Sequence, residues 1–150
     1  MSCAYVGRLG AGVLRDTLYI TNANGDTVTK CDIDPASGNL SNCGLTGALF
    51  NRPYSIAFYM GLYAYIANEF SSDVTQCTIS LDGSLVDCFK SGSPSGTQVN
   101  YLVVTANYIL VAAFNAGQVL RCQITPATGL LTNCIAVGSG FNGPMGITVG

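Results

Sequence analysis

Cys31, Cys77 and Cys122 fall 46 and 45 residues apart, and Cys43, Cys88 and Cys134 fall 45 and 46 apart. Around each first cysteine a valine stands three positions before (Val28, Val74, Val119) and an isoleucine two after (Ile33, Ile79, Ile124). Around each second cysteine a leucine stands three before (Leu40, Leu85, Leu131) and a glycine four after (Gly47, Gly92, Gly138). Phe50 and Phe141, Pro53 and Pro144, and Ile56, Tyr101 and Ile147 extend the register. So many matched columns define an internal repeat, and a repeat limits the chain to architectures that stack one supersecondary unit on the next.

Within a unit the apolar runs are short and broken by turn residues, and no segment keeps a helical i, i+3, i+4 pattern beyond two turns. The first strand is expected at Ser55–Tyr59, with counterparts at Tyr101–Thr105 and Gly146–Val149. The second is expected at Tyr63–Ala67, Leu18–Thr21 and Ile109–Ala113. The third is expected at Val74–Ser80, Val28–Asp34 and Val119–Thr125, and the fourth at Ser84–Lys90, Asn39–Leu45 and Leu130–Val137. Asp82-Gly83 marks a tight hairpin, and Pro35-Ala-Ser-Gly38 and Pro126-Ala-Thr-Gly129 mark its longer equivalents. Four strands every ~45 residues is the period of a β-propeller blade. The reading is therefore all-β: one domain over residues 1–150, with repeats at 10–52, 53–97 and 98–143 and a surplus first strand at 144–150.

Composition narrows the function. The 150 residues contain only six Lys and Arg, eight Asp and Glu and no histidine. A nucleic-acid surface needs clustered cations, so that partner is excluded. No apolar run approaches the ~18 residues of a membrane span, so no membrane partner is expected. Absence of histidine removes the commonest general base and the commonest metal ligand together, and neither a cofactor nor a metal is expected. The N-terminal Met-Ser-Cys-Ala-Tyr-Val-Gly-Arg lacks the apolar block of a signal peptide, so the sequence as written is cytoplasmic or without its leader.

The cysteine pairs Cys31/Cys43, Cys77/Cys88 and Cys122/Cys134 are each centred on a hairpin turn, which sets them opposite one another on the third and fourth strands. Two readings are open. Directly opposed Cβ atoms lie ~4.5–5.5 Å apart, within reach of the ~3.5–4.5 Å that a disulfide needs in a strained pair. The other reading is a column of reduced cysteines packed as small hydrophobes between blades. Disulfides imply an extracellular or periplasmic location, and thiols a cytoplasmic one. Cys3 is left over as a free thiol, in a Cys3–Gly7 segment that matches the fourth-strand ending at Cys134–Gly138.

Tyr19-Ile-Thr-Asn22 and Tyr65-Ile-Ala-Asn68 resemble the YVTN-type bacterial propeller repeats of the lactonase-like and NHL-like group, and Pro53-Tyr-Ser-Ile-Ala and Pro144-Met-Gly-Ile-Thr resemble that family's Pro-x-Gly-Ile-Ala first strand. The third unit departs from the pattern with Ala113 in place of the asparagine, and the cysteine pairs are additional. The resemblance implies a propeller. It leaves open lactone hydrolysis, lyase chemistry and plain binding. Enzymes of the group set His, Glu and Arg or a metal over the central channel, a set that this chain does not carry.

The expected function is a non-catalytic scaffold that binds a protein or a glycan through the loops of one face. Its candidate ligand-binding residues are Asn22, Asn68, Arg52, Glu69, Phe50 and Phe141. Each also has a structural explanation: turn-amide capping for the asparagines, solvated rim for the charges and inter-blade packing for the phenylalanines. A lactonase-like or lyase-like enzyme is the alternative, requiring Glu69, Asp73 or Arg52 to converge near the channel mouth. A recently amplified repeat without a ligand is the third. Three blades do not close a ring, and blade one is short of a first strand where 144–150 offers a spare. A homodimer in a six-bladed ring is therefore expected.

Overall fold

The computed structural model describes residues 6–7, 16–92 and 98–150, so Cys3 and the start of the first expected repeat lie outside the described residues. The described strands form three four-stranded antiparallel sheets, each with its strands neighbouring one another in chain order. Blade one holds β1 (Val6–Gly7), β2 (Asp16–Asn22), β3 (Thr27–Ile33) and β4 (Leu40–Thr46). Blade two holds β5 (Pro53–Tyr59), β6 (Tyr63–Asn68), β7 (Asp73–Ile79) and β8 (Leu85–Lys90). Blade three holds β9 (Val99–Val104), β10 (Tyr108–Ala113), β11 (Gln118–Ile124) and β12 (Leu131–Ser139). Among the described residues the helical content is one 3-10 turn, Ala23–Gly25.

Both ends differ from the sequence expectation. Val6–Gly7 does not extend a fourth strand of a preceding blade; it pairs antiparallel with Leu18 and Thr17 and so takes the inner position of blade one. The segment 144–150 forms no strand. A lone extended segment gains nothing from its sequence without a sheet edge to pair with.

The core lies between blades rather than within them. Tyr19 and Val28 of blade one meet Ile56, Ala64, Ile66, Cys77 and Leu85 of blade two. Tyr65, Ala67 and Val74 of blade two meet Val99, Ile109, Val111, Cys122 and Leu131 of blade three. Blade two is covered on both faces, so β6 is buried from Ala64 to Asn68 without alternation, whereas β2 alternates because only its Tyr19 face is covered.

The three disulfides form as the hairpin symmetry indicates: Cys31–Cys43, Cys77–Cys88 and Cys122–Cys134. The ladder beneath them is not regular. Register slips between Lys30 and Asp32, between Gln76 and Thr78, and between Arg121 and Gln123. The residue before each second cysteine is left-handed: Asn42 (φ 50°), Asp87 (φ 49°) and Asn133 (φ 49°). Asn and Asp tolerate that region best among residues with a side chain. The resulting bulge brings the paired Cα atoms to 4.0–4.1 Å, and Asn42 and Asn133 donate across it to Asp32 and Gln123, each at 2.8 Å.

Tyrosines latch blade to blade. The Tyr19 hydroxyl donates to the Gly83 carbonyl at 2.5 Å and Tyr65 to Gly129 at 2.6 Å. Burial, with a smaller contribution from the Asp82 charge, pushes the Tyr19 phenol from 10.0 up to about 12. Burial likewise raises Tyr65, helped by Tyr59 and Tyr63. A phenol whose folded pKa is raised contributes stability in full below its unfolded pKa and loses it as pH climbs through the folded value. We therefore expect an alkaline transition above pH 10, nearing completion around 12, in which two of the eight tyrosines ionise only as the fold opens. Spectrophotometric titration read beside circular dichroism tests this; tyrosines that all ionise near pH 10 with the fold intact would refute it.

Candidate functional site

The loops joining strand four to the next first strand lie on the same face as the loops joining strands two and three, and backbone bonds tie them. Arg52 N–H donates to the Asp26 carboxylate at 2.6 Å, Glu69 N–H to the Arg52 carbonyl at 3.1 Å, and Phe141 N–H to Gly117 at 3.1 Å.

Asn22 and Asn68 close their own strand ends. Asn22 Nδ2 donates to Thr27 and Thr29 at 3.1 and 2.9 Å. Asn68, fully buried, donates from Nδ2 to Asp73 and Thr75 (both 2.8 Å) and accepts Asn51 N–H at 3.1 Å. Of the two amides, only Asn68 meets a backbone group among the described residues, the Asn51 N–H; the other bonds go to side chains.

Arg52 gathers the rest. Its Nε lies 2.9 Å from Glu69 Oε2, an ion pair in which the N–H direction misses hydrogen-bond alignment. Its guanidinium stands 4.7 Å from the Phe70 ring centre and 5.9 Å from that of Tyr54, within cation–π range. The adjoining concavity, about 500 Å³, is lined by Asn22, Asn24, Gly25, Arg52 and Tyr54. Asp73 joins a neighbouring network instead: it accepts Lys90 Nζ at 2.9 Å and Ser71 Oγ at 2.9 Å. Glu69 and Asp73 are thus each matched to their own cation.

Phe50 and Phe141 stand at different blades. Phe50 packs into the core between blades one and two, where a Cβ on Gly47 would come within 2.6 Å of its ring. Phe141 is about half exposed beside Gly117 and Gly138 of blade three. The loop chemistry is not repeated, since Ala113-Phe-Asn replaces the Asn-Glu-Phe of blade two. Among the described residues no group of three or more His, Cys, Asp or Glu is placed to hold a metal.

Sequence reasoning overlooked Asn24, Tyr54 and Phe70. It also overlooked the backbone at Arg52, which is left-handed at φ 53°, while its repeat counterpart in blade three is Gly143 at φ 57°. That pairing of Arg52 with Gly143, in a column whose third member is Thr97, was readable from the register.

No protein-family model matches the chain, and no curated protein matches it. Solved structures do. One is a protein provisionally named a 6-phosphogluconolactonase from Bacteroides fragilis, with a TM-score of 0.66 and 20% identity over 86% of this chain and 37% of that one. Another, from Bacteroides uniformis and provisionally named likewise, has a TM-score of 0.60 and 16% identity over 83% of this chain and 41% of that one. The chain thus spans about two-fifths of these proteins' length. At this identity the likeness is one of fold, and the fold is part of a β-propeller.

Proposed function

We propose that the chain is a non-catalytic propeller module of YVTN-type repeats, working in an extracellular or periplasmic space, that binds an anionic, hydroxyl-bearing ligand such as an acidic glycan at the Arg52 concavity. The observation that carries this is Arg52 in a left-handed conformation that its counterpart meets with glycine. A side chain there costs of order 1 kcal/mol or more, and such outliers cluster where a side chain has a task other than folding. The task the surroundings support is recognition. A guanidinium fork suits a carboxylate, Tyr54 offers a ring edge, and Asn24 offers an amide. Three disulfides fit an oxidising compartment.

Arg52→Gly separates the two roles. It relieves the backbone and forfeits a partly exposed ion pair of ~0.2–1 kcal/mol, so the melting temperature should move by no more than a few degrees. Binding should vanish. Titrating 15N-labelled chain with a panel of sialylated and uronate-containing oligosaccharides should shift the backbone amides of Asn24, Gly25 and Arg52 in the parent and none in R52G. An absence of shifts in the parent, or shifts that R52G retains, would refute the site.

The second reading is lactone hydrolysis, favoured by the fold likeness and by the Arg52–Glu69 contact. It predicts opening of 6-phosphogluconolactone above the spontaneous rate, lost in Glu69→Gln. A rate with that dependence would replace the binding reading.

A further inference from the structure

We infer that blade three carries an empty seat for the turn 34–38 of a second copy of this chain, so that two copies dock head to tail. Blade two shows what the seat does when filled. Its Tyr63, Tyr65 and Gln76 donate to the carbonyls of Ala127 (3.2 Å), Gly129 (2.6 Å) and Thr128 (2.8 Å), gripping the Pro126–Gly129 turn of blade three. Blade one grips blade two in the same way, through Tyr19 to Gly83 and Lys30 to Asp82 at 2.6 Å.

In the repeat register the gripping residues of blade three are Tyr108, Leu110 and Arg121. Two of the three are still donors, and among the described residues they make no hydrogen bond across a blade interface. Arg121 Nε is buried without a hydrogen-bond partner, its guanidinium stands 6.0 Å from the Tyr108 ring centre, and the two line an open depression of about 440 Å³. Val28 and Val74, which face the next blade, are fully buried, whereas their counterpart Val119 is only half-buried.

The matching half lies on blade one. Leu85 and Leu131 are 3% and 8% exposed under the preceding blade, while their counterpart Leu40 is 47% exposed. The turn Pro35-Ala-Ser-Gly38 has the same length and nearly the same sequence as the seated Pro126-Ala-Thr-Gly129. It is already folded like it. Gly38 N–H donates to the Asp34 carbonyl at 2.8 Å as Gly129 N–H does to Thr125 at 2.7 Å, and their φ values are 72° and 69°. The Asp34 carboxylate further holds the turn by accepting the N–H groups of Ala36 and Ser37 at 2.9 and 2.8 Å. An occupant so preorganised binds without ordering cost. The occupant we assign is a second copy, because its turn 34–38 matches the seated turn of blade three in length, sequence, hydrogen bonding and backbone conformation.

Two such contacts related by a two-fold axis close six blades, inside the usual range of four to eight. The contact is less polar than the internal ones. Thr46 Oγ1 accepts Leu85 N–H and Ser91 Oγ accepts Leu131 N–H, but the half-exposed Val137 stands at the third position, where it would meet Leu40 of the second copy.

Gly38→Asn tests this without disturbing the chain itself. A Cβ at Gly38 meets nothing within 4 Å, and asparagine tolerates φ 72°. At the seated counterpart Gly129 a Cβ would lie 2.6 Å from Gln76 Nε2 and 2.8 Å from Tyr63, so the seat has no room for it. Sedimentation velocity on the 150-residue chain at micromolar concentration should give about twice 15.6 kDa. G38N and Arg121→Glu should each give one chain mass with unchanged circular dichroism, and Gly61→Asn, at an equally open turn glycine, should remain dimeric. A monomeric parent, which would assign the seat to a further blade or another protein, would overturn the inference. So would an assembly larger than two, or a dimer that G38N leaves intact.

Discussion

Reducing the three disulfides is expected to lower the melting temperature by about 20 °C or more. Each bond closes a loop of 11 or 12 residues, worth about 2.8 kcal/mol in the chain-entropy account, or about 8 kcal/mol for three independent loops. A domain's whole stability is about 5–15 kcal/mol, and at this size 1 kcal/mol moves the melting temperature about 2–4 °C. The effect should be large for a local reason too. In β4 only Thr46 is buried, and the bulge interrupts the ladder that would otherwise hold the outer strand. With little packing and a broken ladder, the covalent bond is what keeps strand four on strand three. Thermal melts followed by far-ultraviolet circular dichroism, with and without a phosphine reductant and with free thiols counted, decide it. A reduced chain that melts within about 5 °C of the oxidised one would show that packing alone suffices.

Much of this fold was legible because a repeat writes its own alignment. The columns of Cys, Val, Ile and Leu placed the third and fourth strands of every blade, and the hairpin turns between them located the cysteine pairs. A column cannot tell an end blade from a middle one. Leu40 and Leu85 are the same residue in the same register, yet one is half exposed and the other buried, because burial here is decided by the neighbouring blade. The ends escaped for a related reason: Val6–Gly7 and 144–150 depend on which sheet edge lies near them, and their own sequences do not state it. The bulges were written in Asn42, Asp87 and Asn133, each just before its cysteine, but a regular ladder was the simpler expectation. At the candidate site the register held more than residue types alone conveyed. Arg52 reads as ordinary rim charge until it is set beside Gly143; the backbone conformation the two share marks it out.

Replacing Tyr65 should be the most damaging single truncation at a blade junction. Its ring is fully buried between blades two and three, and its hydroxyl donates to Gly129, the residue that blade three presents to the latch. Tyr65→Ala removes a large aromatic side chain from a site backed by Val74 of its own blade and Ile109 of the next, neither of which can move in to fill the space. Truncations of this kind cost about 3–5 kcal/mol, here about 10 °C in melting temperature. Tyr65→Phe keeps the ring and loses the hydrogen bond, which should cost about 1 kcal/mol plus whatever the stranded Gly129 carbonyl adds. The two variants therefore separate packing from latching. Because the strongest contacts between blades join neighbours in the chain, the loss in Y65A should also be local: amides of β9–β12 should exchange sooner than those of β2–β4, whereas the two sets exchange together in the parent. Y65A melting within about 2 °C of the parent, or a Y65A chain in which blade one opens first, would mean that the junction is held by something other than this tyrosine.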